Sequence, residues 1–234
     1  KSPKDLTHCP ACNKPGFAVD KSKPMQRVPG TDLFEYLAEP GEIPAHYEVL
    51  RETDYGVRFT RHDPYAFGVQ LNIDEMAAFN FGHHRYAQRL LGARPHEVDG
   101  IAGTLFSVWA PNAGRVSVIG DFNDWDGRRH VMRRRGSTGV WEMFIPGVGD
   151  GAAYKYEIVG PDGALQPLKA DPVGFGSEHP PANASVVRDI SGYGWRDAEW
   201  METRAGRNAR TAPISVYEVH LGSWKRRVDE GGRM

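Results

Sequence analysis

Between Thr104 and Asp189 the chain alternates apolar and polar positions with a period of two, in short runs broken by turn-forming residues. Thr104–Ala110 sets Phe106 and Val108 against Trp109, and Arg115–Gly120 sets Val116 and Val118 together. Gly139–Pro146 sets Trp141, Met143 and Ile145 against Val140, Glu142 and Phe144. Ala153–Val159 sets Tyr154, Tyr156 and Ile158 against Lys155 and Glu157, and Ala184–Asp189 closes the series. The breaks fall at Pro111–Gly114, Asn123–Gly127, Gly147–Gly151 and Pro161–Gly163. A period of two sends successive side chains to opposite faces of a sheet. Short strands punctuated in this way predict a mainly β chain, with an immunoglobulin-like antiparallel β-sandwich over residues 101–191.

Upstream, the pattern changes. Residues 1–45 are rich in Pro, Gly and Lys and hold no period, which predicts an irregular extension. Two alternating runs, His46–Arg51 and Val57–Arg61, flank Thr53-Asp54-Tyr55-Gly56 and predict a hairpin. Residues 64–100 read as a helical lead-in. Asn72 or Asp74 caps a short helix through Phe79, and a second helix is expected over His83–Leu91, closed by Gly92. His83 and His84 sit at its start, where capping or packing explains them better than ligation. Residues 192–212 have no clear period and read as a linker. Pro213–Leu221 is a strand-forming run suited to burial on both faces, as in a parallel barrel.

Composition narrows the function classes. The chain has 234 residues, 40% hydrophobic and 25% charged, as expected of a globular protein. Its net charge of -1 creates no field that favours nucleic acid. The basic runs Arg133–Arg135 and Lys225–Arg227 therefore read as solvated faces. No apolar stretch is long enough for a membrane span, and the amino terminus lacks a secretory apolar core, from which a cytoplasmic location is expected. Cys9 and Cys12 supply only half of a structural zinc site, so no metal and no cofactor is expected. A plain thiol pair is the preferred reading.

Six segments in order carry a resemblance: Phe106–Ala113, Val116–His130, Gly139–Glu142, Tyr154–Ile158, Lys169–Pro172 and Pro213–Trp224. Together with His84–Ala93 they are similar to the 1,4-α-glucan branching enzymes of glycogen synthesis, over roughly residues 62–234. The resemblance implies that the sandwich is a family 48 carbohydrate-binding module that binds α-glucan polymers (glycogen, amylose, malto-oligosaccharides). It also implies that residues 213–234 begin a family 13 (β/α)₈ barrel. Residues 46–61 resemble the tail of a preceding β-module, within an extension covering 1–63. A branching enzyme cleaves an α-1,4 bond with retention and transfers the chain to a 6-hydroxyl, using two carboxylates ~5–5.5 Å apart. A barrel needs ~250 residues, and only Pro213–Met234 lies beyond the linker. The segments that would carry the catalytic carboxylates do not occur, and Glu218 does not substitute for them. The chain alone is expected to be inactive, with amylose incubation yielding no new α-1,6 linkages. A first barrel strand without neighbours is expected to be unstructured or an exposed edge.

Binding a glucan requires a flat aromatic face and groups that bond hydroxyls. Trp125 lies in a polar loop with little to pack against, which makes it the candidate platform. Asn123 can bond a hydroxyl or form an Asx-turn. Lys155 projects opposite Tyr154 and Tyr156 and can reach a bound chain, or is simply solvated. Some glucan-binding modules carry a second tryptophan after a turn equivalent to Asp162-Gly163. This chain has Ala164-Leu165 there and departs from a two-tryptophan clamp. Two other readings share features with this one: a non-catalytic glycogen-targeting module, and a related debranching or trehalose-releasing hydrolase. Tyr217–Trp224 speaks against the first, and Asp126–His130 with Gly222–Arg226 against the second.

Overall fold

The computed structural model describes residues 6–8, 25–31, 34–52, 55–220 and 224, and these fall into two units, 1–191 and 192–234. The cysteine pair and the Lys225–Arg227 run lie outside the described residues. In chain order the first unit contains β1 (Leu6–His8), β2 (Gln26–Arg27), β3 (Phe34–Glu35), β4 (Glu48–Glu52), β5 (Arg58–His62) and α1 (Ile73–Asn80). The sandwich strands follow: β6 (Gly92–Val98), β7 (Ile101–Trp109), β8 (Arg115–Gly120), β9 (Arg133–Arg134), β10 (Val140–Pro146), β11 (Ala153–Val159), β12 (Gly176–Ser177) and β13 (Ser185–Val186).

Two antiparallel sheets, ordered β6-β7-β10-β9 and β12-β13-β11-β8, face each other. Phe106, Val108, Trp141, Met143 and Ile145 from one sheet meet Val116, Val118, Tyr154 and Tyr156 from the other in a dry core. Trp141 spends its indole N–H on the Ala110 carbonyl at 3.0 Å, which settles it as a core residue. Beneath the tyrosine pair, the Asp171 carboxylate accepts from both hydroxyls, at 2.8 Å from Tyr154 and 3.1 Å from Tyr156. Burial pushes the pKa of all three groups upward.

The first sheet is covered on its outer face as well. Phe67, Leu71, Met76, Leu90 and Leu91 from the lead-in pack on Leu105, Val140 and Phe144. The Glu142 carboxylate, on the same face and buried, accepts from the Gln70 N–H at 3.2 Å and the Leu71 N–H at 2.8 Å, and pairs with Arg135. Arg133 donates to the Tyr65 carbonyl at 2.8 Å, and Arg135 to the Leu71 carbonyl at 2.9 Å. This arginine run therefore ties the lead-in to the sandwich and is not merely a solvated face.

Asn72 caps α1 by accepting from the Asp74 N–H at 2.7 Å, as the sequence predicts. The second predicted helix does not form. Only a single 3₁₀ turn, Ala87–Arg89, interrupts that stretch, and Gly92 opens β6 along β7. The glycine that closes a helix is Gly82, with φ +72, where the His83 N–H bonds the Ala78 carbonyl at 2.8 Å. Leu90 and Leu91 are buried under the sheet, and that burial overrides the local i, i+4 spacing. The hairpin forms as predicted, β4 on β5, with β1 added beside β4.

The second unit contains α2 (Ala198–Arg207) within the stretch read as a linker. Residues 213–220 form no strand, and Ile214, Val216 and Tyr217 are exposed. No described helix is long and apolar enough to cross a membrane.

Candidate functional site

With the first sheet covered by the lead-in, the outer face of β12-β13-β11-β8 is the candidate face, partly open along β11 and buried along β8. Lys155 and Glu157 project there from β11, opposite Ile119 and Ser117 of β8. The loop after β8 turns back over this face. Gly127 sits so close to Glu157 that a Cβ there would lie 2.2 Å from its carboxylate. A side chain at this position would have to displace the Glu157 carboxylate, so the loop lies close beside the Glu157 end of β11.

Asn123 holds the loop together from inside. Its side-chain oxygen accepts from the Gly120 N–H at 2.9 Å, and its amide nitrogen bonds the Val118 carbonyl at 2.9 Å and His130 Nδ1 at 2.8 Å. Because an amide NH₂ only donates, His130 Nδ1 is the acceptor and the ring is neutral. Asn123 is 1% exposed, with its amide fully engaged by the protein. Of the two roles open to it in the sequence, hydroxyl partner or turn former, these bonds match the second and leave its amide engaged within the loop. Desolvation, then Arg61 and Arg129, push the His130 imidazole down to about 4.

On this frame Asp124 and Trp125 adopt left-handed backbone, with φ of +57 and +56. Two consecutive non-glycine residues there cost roughly 1–2 kcal/mol each. Strain of this kind persists where the surroundings enforce it, and it marks functional loops. Here the Trp125 N–H bonds the Gly120 carbonyl at 3.0 Å and its indole N–H bonds Asp121 at 2.7 Å. Arg129 grips Asp124 at 2.7 Å, and Asp126 binds the Arg128 guanidinium and N–H, which holds the Asp126 carboxyl well below its usual range. The outcome is an indole that is fixed at its polar edge and 37% exposed.

Lys155 donates to Asn183, which comes from the segment before β13. That juxtaposition has no signature in the sequence, since the two residues meet only through β11–β13 pairing. Leu165, where a second tryptophan would complete a clamp, is exposed. Of the three predicted residues, Trp125 stands exposed in the loop after β8, Lys155 projects half-buried from β11, and Asn123 is buried within the loop.

Residues 90–174 match the family described as Carbohydrate-binding module 48 (Isoamylase N-terminal domain), which defines the sandwich as a carbohydrate-binding module. The 1,4-alpha-glucan branching enzyme GlgB of Roseobacter denitrificans is 54% identical over 184 residues, 79% of this chain and 25% of that protein. That of Cellvibrio japonicus is 48% identical over 203 residues, 87% of this chain and 28% of that protein. A solved pullulanase from Anoxybacillus sp. LM18-11 aligns over 61% of this chain and 18% of its own, with 20% identity and a TM-score of 0.34. The chain belongs to the 1,4-alpha-glucan branching enzyme family. It spans about a quarter of the length of the curated relatives it matches.

Proposed function

We propose that this chain is the α-glucan-binding portion of a 1,4-alpha-glucan branching enzyme, which transfers α-1,4-glucan chains to 6-hydroxyls. Glycogen and amylose are its polymeric ligands, and Trp125 is the platform on which a sugar ring stacks, with Lys155 and its neighbour Asn183 as hydroxyl partners. The observation that carries this reading is the half-open indole held by Asp121 in a left-handed loop of a carbohydrate-binding module. Burying roughly 50 Å² of apolar surface per sugar is worth only about 1 kcal/mol. Retention on a polymer therefore comes from many weak contacts in parallel. On a glycogen affinity gel, Trp125→Ala should lose most of its retardation while keeping the wild-type circular dichroism spectrum. Retardation unchanged in that variant would remove the platform from Trp125.

A further inference from the structure

The loop that presents Trp125 has a second side. Phe122, Arg129 and His130 wall one flank of a cleft of about 580 Å³, whose other flank is the β4–β5 hairpin with Glu48, Arg61 and His62. This volume lies within the ~300–1,000 Å³ typical of small-molecule sites. The hairpin is docked rigidly: His46 stacks on Phe67 at 4.2 Å and bonds Asp99 at 2.7 Å, and Arg61 donates to the Phe122 carbonyl at 2.5 Å.

The lining selects for a neutral ligand. Two guanidinium groups, Arg61 and Arg129, are matched by two carboxylates, Glu48 and Asp63. Both cations already have partners, Arg61 in the Phe122 carbonyl and Arg129 in Asp124. An anion would meet no surplus positive charge. A polyhydroxylated ligand, by contrast, meets donors and acceptors side by side, together with the ring of Phe122 as an apolar floor. The wall of the cleft and the frame of the platform are one loop, tied through the Asn123–His130 hydrogen bond.

We infer that the cleft between the β4–β5 hairpin and the sandwich is a second sugar subsite, taking a short neutral stretch of α-1,4-linked glucose; the choice of sugar rests on the glucan-binding reading above. The test is a titration of the full ¹⁵N-labelled chain with maltoheptaose, followed amide by amide. In Trp125→Ala protein, the amides of Thr60, His62 and His130 should still shift. Adding Glu48→Ala should weaken that cleft titration at least fivefold, while Glu48→Ala alone leaves the Trp125 indole titration of the otherwise wild-type chain unchanged. Glu48→Gln, which keeps the side chain's shape and so spares the hairpin, should weaken the cleft titration in the same direction. No shift of cleft amides at saturating maltoheptaose in Trp125→Ala protein would overturn the inference, as would a cleft titration indifferent to both Glu48 variants. A Trp125 indole signal that never moves while the cleft amides do would instead overturn the platform and leave the cleft standing.

Discussion

At the scale of single residues, His130 links solvent acidity to the loop that carries the platform. Its folded-state pKa of about 4 lies below the 6.5 of an unperturbed imidazole. Between those values the unfolded chain binds a proton that the folded chain refuses. Stability therefore falls as pH drops through this window and levels off below about 4. The shift corresponds to about 3 kcal/mol. Asp171, whose carboxyl is raised, has the opposite slope above the ordinary carboxylate range, so only a comparison with a variant isolates the histidine. His130→Gln should lose less stability than wild type between pH 7 and pH 4.5 in urea titrations, and parallel losses would show that His130 does not titrate as described. Protonation of the folded chain also removes the Nδ1 acceptor of Asn123, so glucan affinity should hold through this window and weaken only as pH approaches about 4. Some of this site is legible in the residues alone. A tryptophan between Asp124 and Asp126 has no apolar neighbours in sequence, and Lys155 alternates away from two tyrosines. Asn123 is not legible, because an asparagine in a turn reads equally as ligand or frame until its neighbours fold around it. Asn183 and the Asp121 clamp on the indole depend on contacts that spacing cannot encode.

Among the elements, the lead-in does the work of a third layer. It seals the outer face of β6-β7-β10-β9, and a buried carboxylate joins the two. Removing Glu142 strands Arg135 and the N–H groups of Gln70 and Leu71 in a dry interface. Breaking such a buried pair costs about 3–5 kcal/mol. Glu142→Ala should therefore lower the melting temperature by roughly 10 °C, measured calorimetrically on the full chain, and a shift within about 2 °C would show that the lead-in docks by its apolar contacts alone. The same layer explains what the hydrophobic pattern revealed and what it hid. The bounds of β11 follow directly from alternation, since Lys155 and Glu157 stay partly open, whereas β8 is buried on both faces and is bounded by its flanking turns. Val140, Glu142 and Phe144 look like an outward face by period, yet lie under residues 67–91. The stretch 83–91 carries helical spacing in Tyr86, Ala87, Leu90 and Leu91, but these leucines are wanted by the sheet, and Gly92 and Pro95 enter β6. Local periodicity lost to burial.

For the whole molecule, the division of faces determines how binding should respond to its surroundings. One sheet is committed to internal packing, and under the proposed function the other takes a polymer that is itself uncharged. The net charge is -1, and the charged side chains around the loop are largely satisfied by each other: Arg128 by Asp126, Arg129 by Asp124, and Arg115 by Glu157. Stacking on an indole and hydroxyl hydrogen bonds involve no counterion release. A protein that neutralises phosphates loses about 10³–10⁵ in affinity between 50 and 200 mM salt. Screening at roughly 8 Å under physiological conditions likewise erodes attraction between exposed charges. The affinity of this chain for glycogen should instead change by less than about twofold over the interval in which phosphate binders fail, as read by affinity electrophoresis at matched pH. A steep loss with salt would mean that Lys155 and the arginines, and not the indole, supply the grip, and would reassign the face to an anionic polymer. If the polymer is held through repeated weak stacking, maltoheptaose should bind with the same indifference to salt but far more weakly than glycogen, because only the polymer engages several chain ends at once.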